Sequence, residues 1–206
     1  MALKFANNQS LTNTTALPSA VPTDNLILIS TQTASNSASL SFTTGLNGTY
    51  DVYKFVFVNI YSLSGGSGSN NNFQFNLSTD GGSNYNVTKT STQFRTYHNE
   101  SDTDTALAYH TDTDLAQSTA YQPLMDSMGA VSSRAVSGSM TLFNPSSTTY
   151  VKHWISNLNN AHSGSYSYEF FGAGYGNTTS AVNAIRFQMS SGNFDGTIKM
   201  YGVKKS

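Results

Sequence analysis

Four aspartates in two short polar stretches are the first candidates for chemistry. SDTDT (Ser101 to Thr105) and HTDTD (His110 to Asp114) carry Asp102, Asp104, Asp112 and Asp114. Oxygen-rich loops of this kind can hold Ca²⁺, which takes about six to eight oxygen ligands. Neither stretch has the spacing, the glycine or the distal glutamate of an EF-hand loop, so a solvated loop is expected and no metal is assigned. His98 and His110 stand too far apart in sequence to be read as a metal pair. His153 lies beside the only tryptophan, in YVKHWIS, where a packed or rim histidine is expected. Serine, histidine and aspartate are all present, but no G-x-S-x-G frames a nucleophile. No two of the 11 acidic residues are arranged locally as a glycosidase pair. The chain reads as a non-enzyme, with no catalytic residue and no cofactor.

Two glycine motifs point to structure rather than to ligands. GAGYG (Gly172 to Gly176) has the look of a phosphate-cradling loop, yet a dinucleotide fingerprint must open a helix inside a βαβ unit. NTTSAVNAIRF follows instead, with another strand soon after, so the glycines are read as a bulge or the close approach of a neighbouring chain. STDGGSNY (Ser78 to Tyr85) resembles the Asp-box of sialidase propellers. No blade-like repeat accompanies it, and a hairpin whose carboxylate accepts backbone N–H bonds is expected.

Composition narrows the partners. Only 10% of residues are charged, against roughly 25% in an average soluble domain. The net charge is -1, which argues against a general binder of nucleic acid or membrane surface, whose footprint is strongly basic. Aromatic residues make up 12% of the chain, more than disordered chains carry. With no cysteine, disulfides and thiolate metal sites are excluded. MALKFANNQS has no apolar run of signal-peptide length, and no stretch approaches the ~18 apolar residues of a membrane helix. A soluble protein made in a cytoplasm is expected.

The elements that must position these residues are strands. NFQFNLS alternates with Phe73, Phe75 and Leu77 inward and Asn72, Gln74, Asn76 and Ser78 outward. LILIS (Leu26 to Ser30) and DVYKFVFVNIY (Asp51 to Tyr61) are apolar on both faces, the latter as in a central strand. The Asp-Gly of TDGGS predicts a hairpin into YNVTK. SASLSF, TQFRTYH, LAYHT, SGSMTLF, YVKHWIS, YEFFGAGY, AIRFQMS and GTIKMYGV complete about ten to twelve strands. SGGSGSNNN (Ser64 to Asn72) reads as an exposed flexible loop. TDLAQSTAYQPLMDSMG (Thr113 to Gly129) has room for one short helix before Pro123. The expected fold is all-β: an antiparallel β-sandwich, jelly-roll-like, over residues 25–206, preceded by an extended N-terminal arm over residues 1–24.

Surface residues follow from this layout. In the arm, Leu3 and Phe5 are apolar anchors and Lys4 a charge for an acidic partner. Tyr97, Tyr109, Tyr166, Tyr168 and Tyr175, in loops and at strand ends, suit an interface or a sugar site, since tyrosine offers large contact area at low entropy cost.

MALKFANN, FNLSTDGGSNYNVTKT, LFNPSSTTYVKHW and the closing SSGNFDGTIKMYG resemble structural proteins of tailed bacteriophages. The resemblance implies a virion protein with a jelly roll or related sandwich, and it carries no active-site residues. The function expected from it is capsid decoration (cement): binding the outside of the phage head and stabilising it. The partners would be the major capsid protein and neighbouring copies of itself, often as a homotrimer. The alternative is a tail or fibre component that binds a host surface glycan, and a carbohydrate-active enzyme ranks last.

Overall fold

The computed structural model describes residues 25–65 and 71–205, and the core it shows is a stack of phenylalanines between two β-sheets. Phe187 is the hub. Its ring lies 5.3 Å from those of Phe55 and Phe57, and 6.0 to 6.3 Å from Phe42, Phe73 and Phe75. All six rings are buried. Edge and tilted contacts of this kind add about 0.5–1.5 kcal/mol each beyond burial.

The strands of the two sheets are β1 (Leu26–Ser37), β2 (Ser39–Phe42), β3 (Val52–Ser62), β4 (Phe73–Ser78), β5 (Lys89–Asn99) and β6 (Thr105–Tyr109). They continue with β7 (Gln122–Met125), β8 (Val136–Phe143), β9 (Lys152–His162), β10 (Tyr166–Gly176), β11 (Ala184–Met189) and β12 (Phe194–Val203). Every pairing is antiparallel. One sheet has the order β1-β12-β3-β8-β9-β10-β5-β6, the other β2-β11-β4-β7. The facing quartets β1-β12-β3-β8 and β2-β11-β4-β7 have the winding order of a jelly roll. Two hairpins, β5–β6 and β9–β10, are inserted into that winding and widen one sheet only. The β-sandwich expected from the alternation is therefore present. The predicted arm, with Leu3, Lys4 and Phe5, lies outside the described residues.

Several sequence expectations are corrected. No α-helix occurs among the described residues. Within Thr113 to Gly129, Leu115 exchanges hydrogen bonds with Ser91 on β5, and Gln117 has φ 48°, which breaks a helical turn. Pro123 sits inside β7, the edge of the small sheet, where a missing N–H is tolerated. TDGGS is a turn, but it does not make a hairpin into YNVTK. The chain leaves the small sheet there, and the next strand, β5, pairs with β10 and β6. Asp80 does accept bonds from the Asn84 backbone N–H (2.9 Å), Asn84 Nδ2 (2.8 Å) and Ser78 Oγ (2.7 Å). These bonds hold its carboxyl down at about 2.

Asn76 and Ser78 were expected to face outward, yet both are buried. The segments around Tyr85 and Thr119 cover that face, and Asn76 Nδ2 donates to both their carbonyls. Asn71, at the end of the predicted exposed loop, is buried too and bonds Ser62 Oγ at 2.7 Å. GAGYG is no bulge. It is the unbroken end of β10, and its glycines admit neighbours: a Cβ on Gly174 would stand 2.6 Å from the Thr90 carbonyl oxygen and 2.9 Å from the Trp154 ring.

Lys89 and Lys152 flank Gly176 in one register row, and both are buried. Lys89 Nζ donates to Asn76 Oδ1 (2.5 Å) and the Val87 carbonyl (2.8 Å). Lys152 Nζ donates to the carbonyls of Ser147 and Tyr150, both at 2.6 Å. Burial pushes both pKa values down, that of Lys89 from 10.5 to about 7.

Two outcomes follow. Phe187→Ala is expected to lower unfolding free energy by about 3–5 kcal/mol in urea; a loss near zero would show that the ring stack is not the core. For Lys89, the folded state gives up its proton near pH 7 while the unfolded chain keeps it to about 10.5. Stability therefore rises with pH across that window, by up to ~1.4 kcal/mol per unit, and Lys89→Met flattens the rise. An identical pH profile in the variant would refute the assignment.

Candidate functional site

The small sheet reaches β9 and β10, against which β7 packs, and the first half of β5, where Gln93 bonds the Pro123 carbonyl, while the rest of β5 and β6 overhang it. Side chains alternate along these strands, so each hairpin presents two different surfaces. On the inner surface stand Arg95, Tyr97, Tyr166, Tyr168 and Phe170, which share register positions across β5 and β10. The segment after β6 and the segment after β7 fold back over this overhang and bring His110 and Asp126 to Arg95.

His110 Nε2 donates to Asp126 Oδ2 at 2.5 Å. Arg95 Nη1 lies 3.3 Å from that nitrogen and 3.9 Å from the carboxylate oxygen. His110 and Asp126 are buried, and the imidazole packs on the Phe170 ring at 5.3 Å. The Arg95 guanidinium is steered from its other side by the rings of Tyr97 (5.9 Å) and Tyr168 (5.4 Å). Asp126 Oδ1 is buried with no hydrogen-bond partner. Beside the trio is a cavity of about 370 Å³ that Asn72, Asp112 and Thr113 also line.

The predicted tyrosines divide between the two surfaces. Tyr97, Tyr166 and Tyr168 come together on the inner rim, with centroids 5.3 to 5.7 Å apart. The His162 ring stacks on Tyr168 at 4.2 Å. Burial, ahead of all other causes, raises the Tyr168 hydroxyl pKa. Tyr109 and Tyr175 lie on the opposite surface and do not join this cluster. All five are strand residues: Tyr109, Tyr166 and Tyr175 stand at strand ends, as expected, and none lies in a loop.

The four aspartates likewise do not converge. Asp102 bonds His98 Nε2 (2.9 Å), Asp104 accepts from the Tyr166 hydroxyl (2.9 Å) and Asp114 from the Tyr109 hydroxyl (2.7 Å). The bond to Asp104 raises the Tyr166 pKa. Among the described residues no three of His, Asp and Glu gather in a way that would hold a metal.

The outer surface of the same hairpins carries a group of exposed apolar side chains among threonines and asparagines. Leu107 is 71% exposed, Ile155 56%, Tyr109 54% and Phe94 42%. Phe94 stacks on Phe171 at 4.8 Å. A shallow trough of about 500 Å³ runs between Ile155, Phe143, His153 and Tyr175. Among the outward residues of β5, β6, β9 and β10, only Glu169 carries a carboxylate.

Comparison with protein-family models, with curated proteins and with solved structures finds no match.

Sequence reasoning missed the trio. His110 and Asp126 are 16 positions apart, so no local spacing joins them. One signal was present: Asp126 is the lone charge in PLMDSMG, and an acid inside an apolar run is buried only with a partner. Asp126→Ala strips His110 of its acceptor and Arg95 of its counter-charge. The expected loss is about 3 kcal/mol in urea unfolding, with a smaller loss for Asp126→Asn, which keeps an acceptor oxygen. Equal losses in the two variants would mean the carboxylate contributes packing alone.

Proposed function

We propose that this protein is a non-enzymatic virion structural protein of a tailed phage, a capsid decoration protein that binds the outside of the head and stabilises it. The observation that carries the reading is the group of exposed apolar side chains on the outer surface of the two inserted hairpins, where Glu169 is the one carboxylate. Monomeric soluble proteins rarely leave a contiguous apolar surface of this kind bare, and such patches mark contact sites. Leu107, Ile155, Tyr109 and Phe94 are its protruding members. The near-zero net charge supports the reading, because little electrostatic repulsion opposes packing against neighbours. So does the sequence resemblance to phage structural proteins.

In this role the outer surface meets the major capsid protein, and neighbouring copies of the chain complete a trimer. Leu3, Lys4 and Phe5 add contacts from the N-terminal segment, where strand addition gains backbone hydrogen bonds without many side chains. The protein is made in the host bacterial cytoplasm and works in the virion, without nucleic acid or membrane as partner.

A second reading has its own observation. The cluster of Tyr97, Tyr166 and Tyr168, with Arg95 against two of its rings, suits a tail or fibre component that recognises a host surface glycan.

The test of the first reading is occupancy on bare capsids. Leu107→Asp and Ile155→Asp alter exposed side chains, so stability should stay within about 0.5 kcal/mol. Capsid occupancy should drop at least about tenfold, the equivalent of ~1.4 kcal/mol, and deletion of residues 2–20 should lower it as well. Full occupancy by both point variants would remove the outer surface from the interface. A copy number of a few per particle, rather than hundreds, would move the protein from head to tail.

A further inference from the structure

We propose that the cavity beside Arg95, His110 and Asp126 binds one neutral sugar residue through its hydroxyl groups. The inference deepens the glycan-binding reading and does not depend on capsid decoration.

The cavity holds about 370 Å³, within the range of small-ligand sites. Its lining side chains are all polar: Asn72, Arg95, His110, Asp112, Thr113 and Asp126. An apolar ligand would strip these groups of water and leave them unpaired, which is costly for each.

The charges exclude other classes. Arg95 is already neutralised by Asp126 at 3.9 Å, and Asp112 stands exposed at the mouth. A phosphate or sulfate would therefore meet one compensated cation and one free carboxylate. A divalent metal would need oxygen ligands where the Arg95 guanidinium lies, and no three ligating residues gather there.

A ring bearing several hydroxyls meets neither objection. Each hydroxyl both donates and accepts. Asp112, exposed at the mouth, accepts hydrogen bonds from sugar hydroxyls, and so does the Asn72 side-chain oxygen. Arg95 and Asn72 Nδ2 have N–H groups to give to hydroxyl oxygens.

The groups are also fixed in advance. His110 orients Asp126 at 2.5 Å, and the faces of Tyr97 and Tyr168 orient Arg95. Holding three ionisable groups together in a half-buried place gives little net stability, whereas a preorganised site loses less on binding. The tyrosine rim lies on the far side of Arg95, so a longer saccharide has a surface on which to continue.

The experiment is a titration of ¹⁵N-labelled full-length protein, followed by NMR. The probes are glucose, galactose, mannose and N-acetylglucosamine, then oligosaccharides of whichever binds, with inorganic phosphate and Ca²⁺ as competing classes. At least one neutral sugar should shift the amides of Asn72, His110 to Thr113 and Ser127 in a saturable way, with an affinity near ~1 mM. Oligosaccharides should bind more tightly and extend the shifts to Tyr97 and Tyr168, which separates a glycan residue from a free monosaccharide. Asp112→Asn alters an exposed side chain and keeps the fold, and Asp126→Asn removes the charge that positions Arg95 and His110. Each should weaken binding at least about tenfold, the worth of one hydrogen bond to a charged group.

Absence of saturable shifts with every sugar overturns the proposal, as does saturation by phosphate or Ca²⁺ at these amides. Shifts confined to the tyrosine rim and indifferent to Asp112→Asn also overturn it, while leaving a glycan-binding protein standing.

Discussion

The wide sheet has eight strands and the sheet packed on it has four. At about 4.8 Å per strand, the narrow layer cannot cover the whole inner surface of the wide one. The other distinctive features follow from this mismatch. Where both layers are present, phenylalanines fill the space between them and the core is dry. Past Gln93, which still bonds Pro123 of β7, β5 and β6 overhang the narrow layer, and the return segments supply what cover there is. A boundary between a dry core and a half-covered overhang is where a polar group can be buried and still be reached. Arg95, His110 and Asp126 occupy that boundary. Moving outward along β10, the residues pass from Phe170, fully buried, to the half-buried Tyr168 and Tyr166, which grades the surface from apolar to wet.

The opposite end of the same strands meets a different demand. Gly176 leaves space between Lys89 and Lys152, and both side chains turn inward. Neither ammonium group has a carboxylate partner among the described ion pairs. Main-chain carbonyls of Val87, Ser147 and Tyr150 and the Asn76 side-chain oxygen accept their hydrogen bonds instead. Lys152 thereby ties the Ser147 and Tyr150 turn to β9, and Lys89 ties Val87 and Asn76 to β5. A sequence so poor in charge spends two of its seven lysines on fastening loops, a task that hydroxyl side chains, with one donor each, perform less fully. Burial disfavours the charged state at these sites, so the desolvation cost of Lys89 is relieved as pH rises.

The sandwich was legible because period-two alternation does not depend on which strands pair. Phe73, Phe75 and Leu77 point to the core whatever neighbours β4 has. Asn76 was misjudged for the complementary reason: alternation says which side a residue takes, not what covers that side. The helix expected before Pro123 failed because Leu115 and Gln117 find partners on β5, a contact between residues about 24 positions apart that no local window contains. The tyrosines could not be sorted without register. Tyr97 faces Tyr168 only because β5 and β10 pair as they do, and a shift of one residue would have put Tyr97 among the outward set. His110 was visible as a histidine near two aspartates, and the partner it took was a third, Asp126.

Parity along single strands also decides how many partners this fold can serve at once. On β5, Phe94 and Thr96 point outward while Arg95 and Tyr97 point inward. On β10, Phe171 and Tyr175 alternate with Phe170 and Tyr168. A partner packed on the outer surface touches only the first set, and its approach leaves the inner cavity open, because the sheet itself lies between them. Contacts that hold the protein to an assembly and contacts that hold a small ligand are thus separated by one backbone thickness and by no domain boundary. Substitution on one surface changes side chains that never reach the other. The coupling that remains runs through the strands, and the packed core that backs β9 and β10 gives it little freedom to bend.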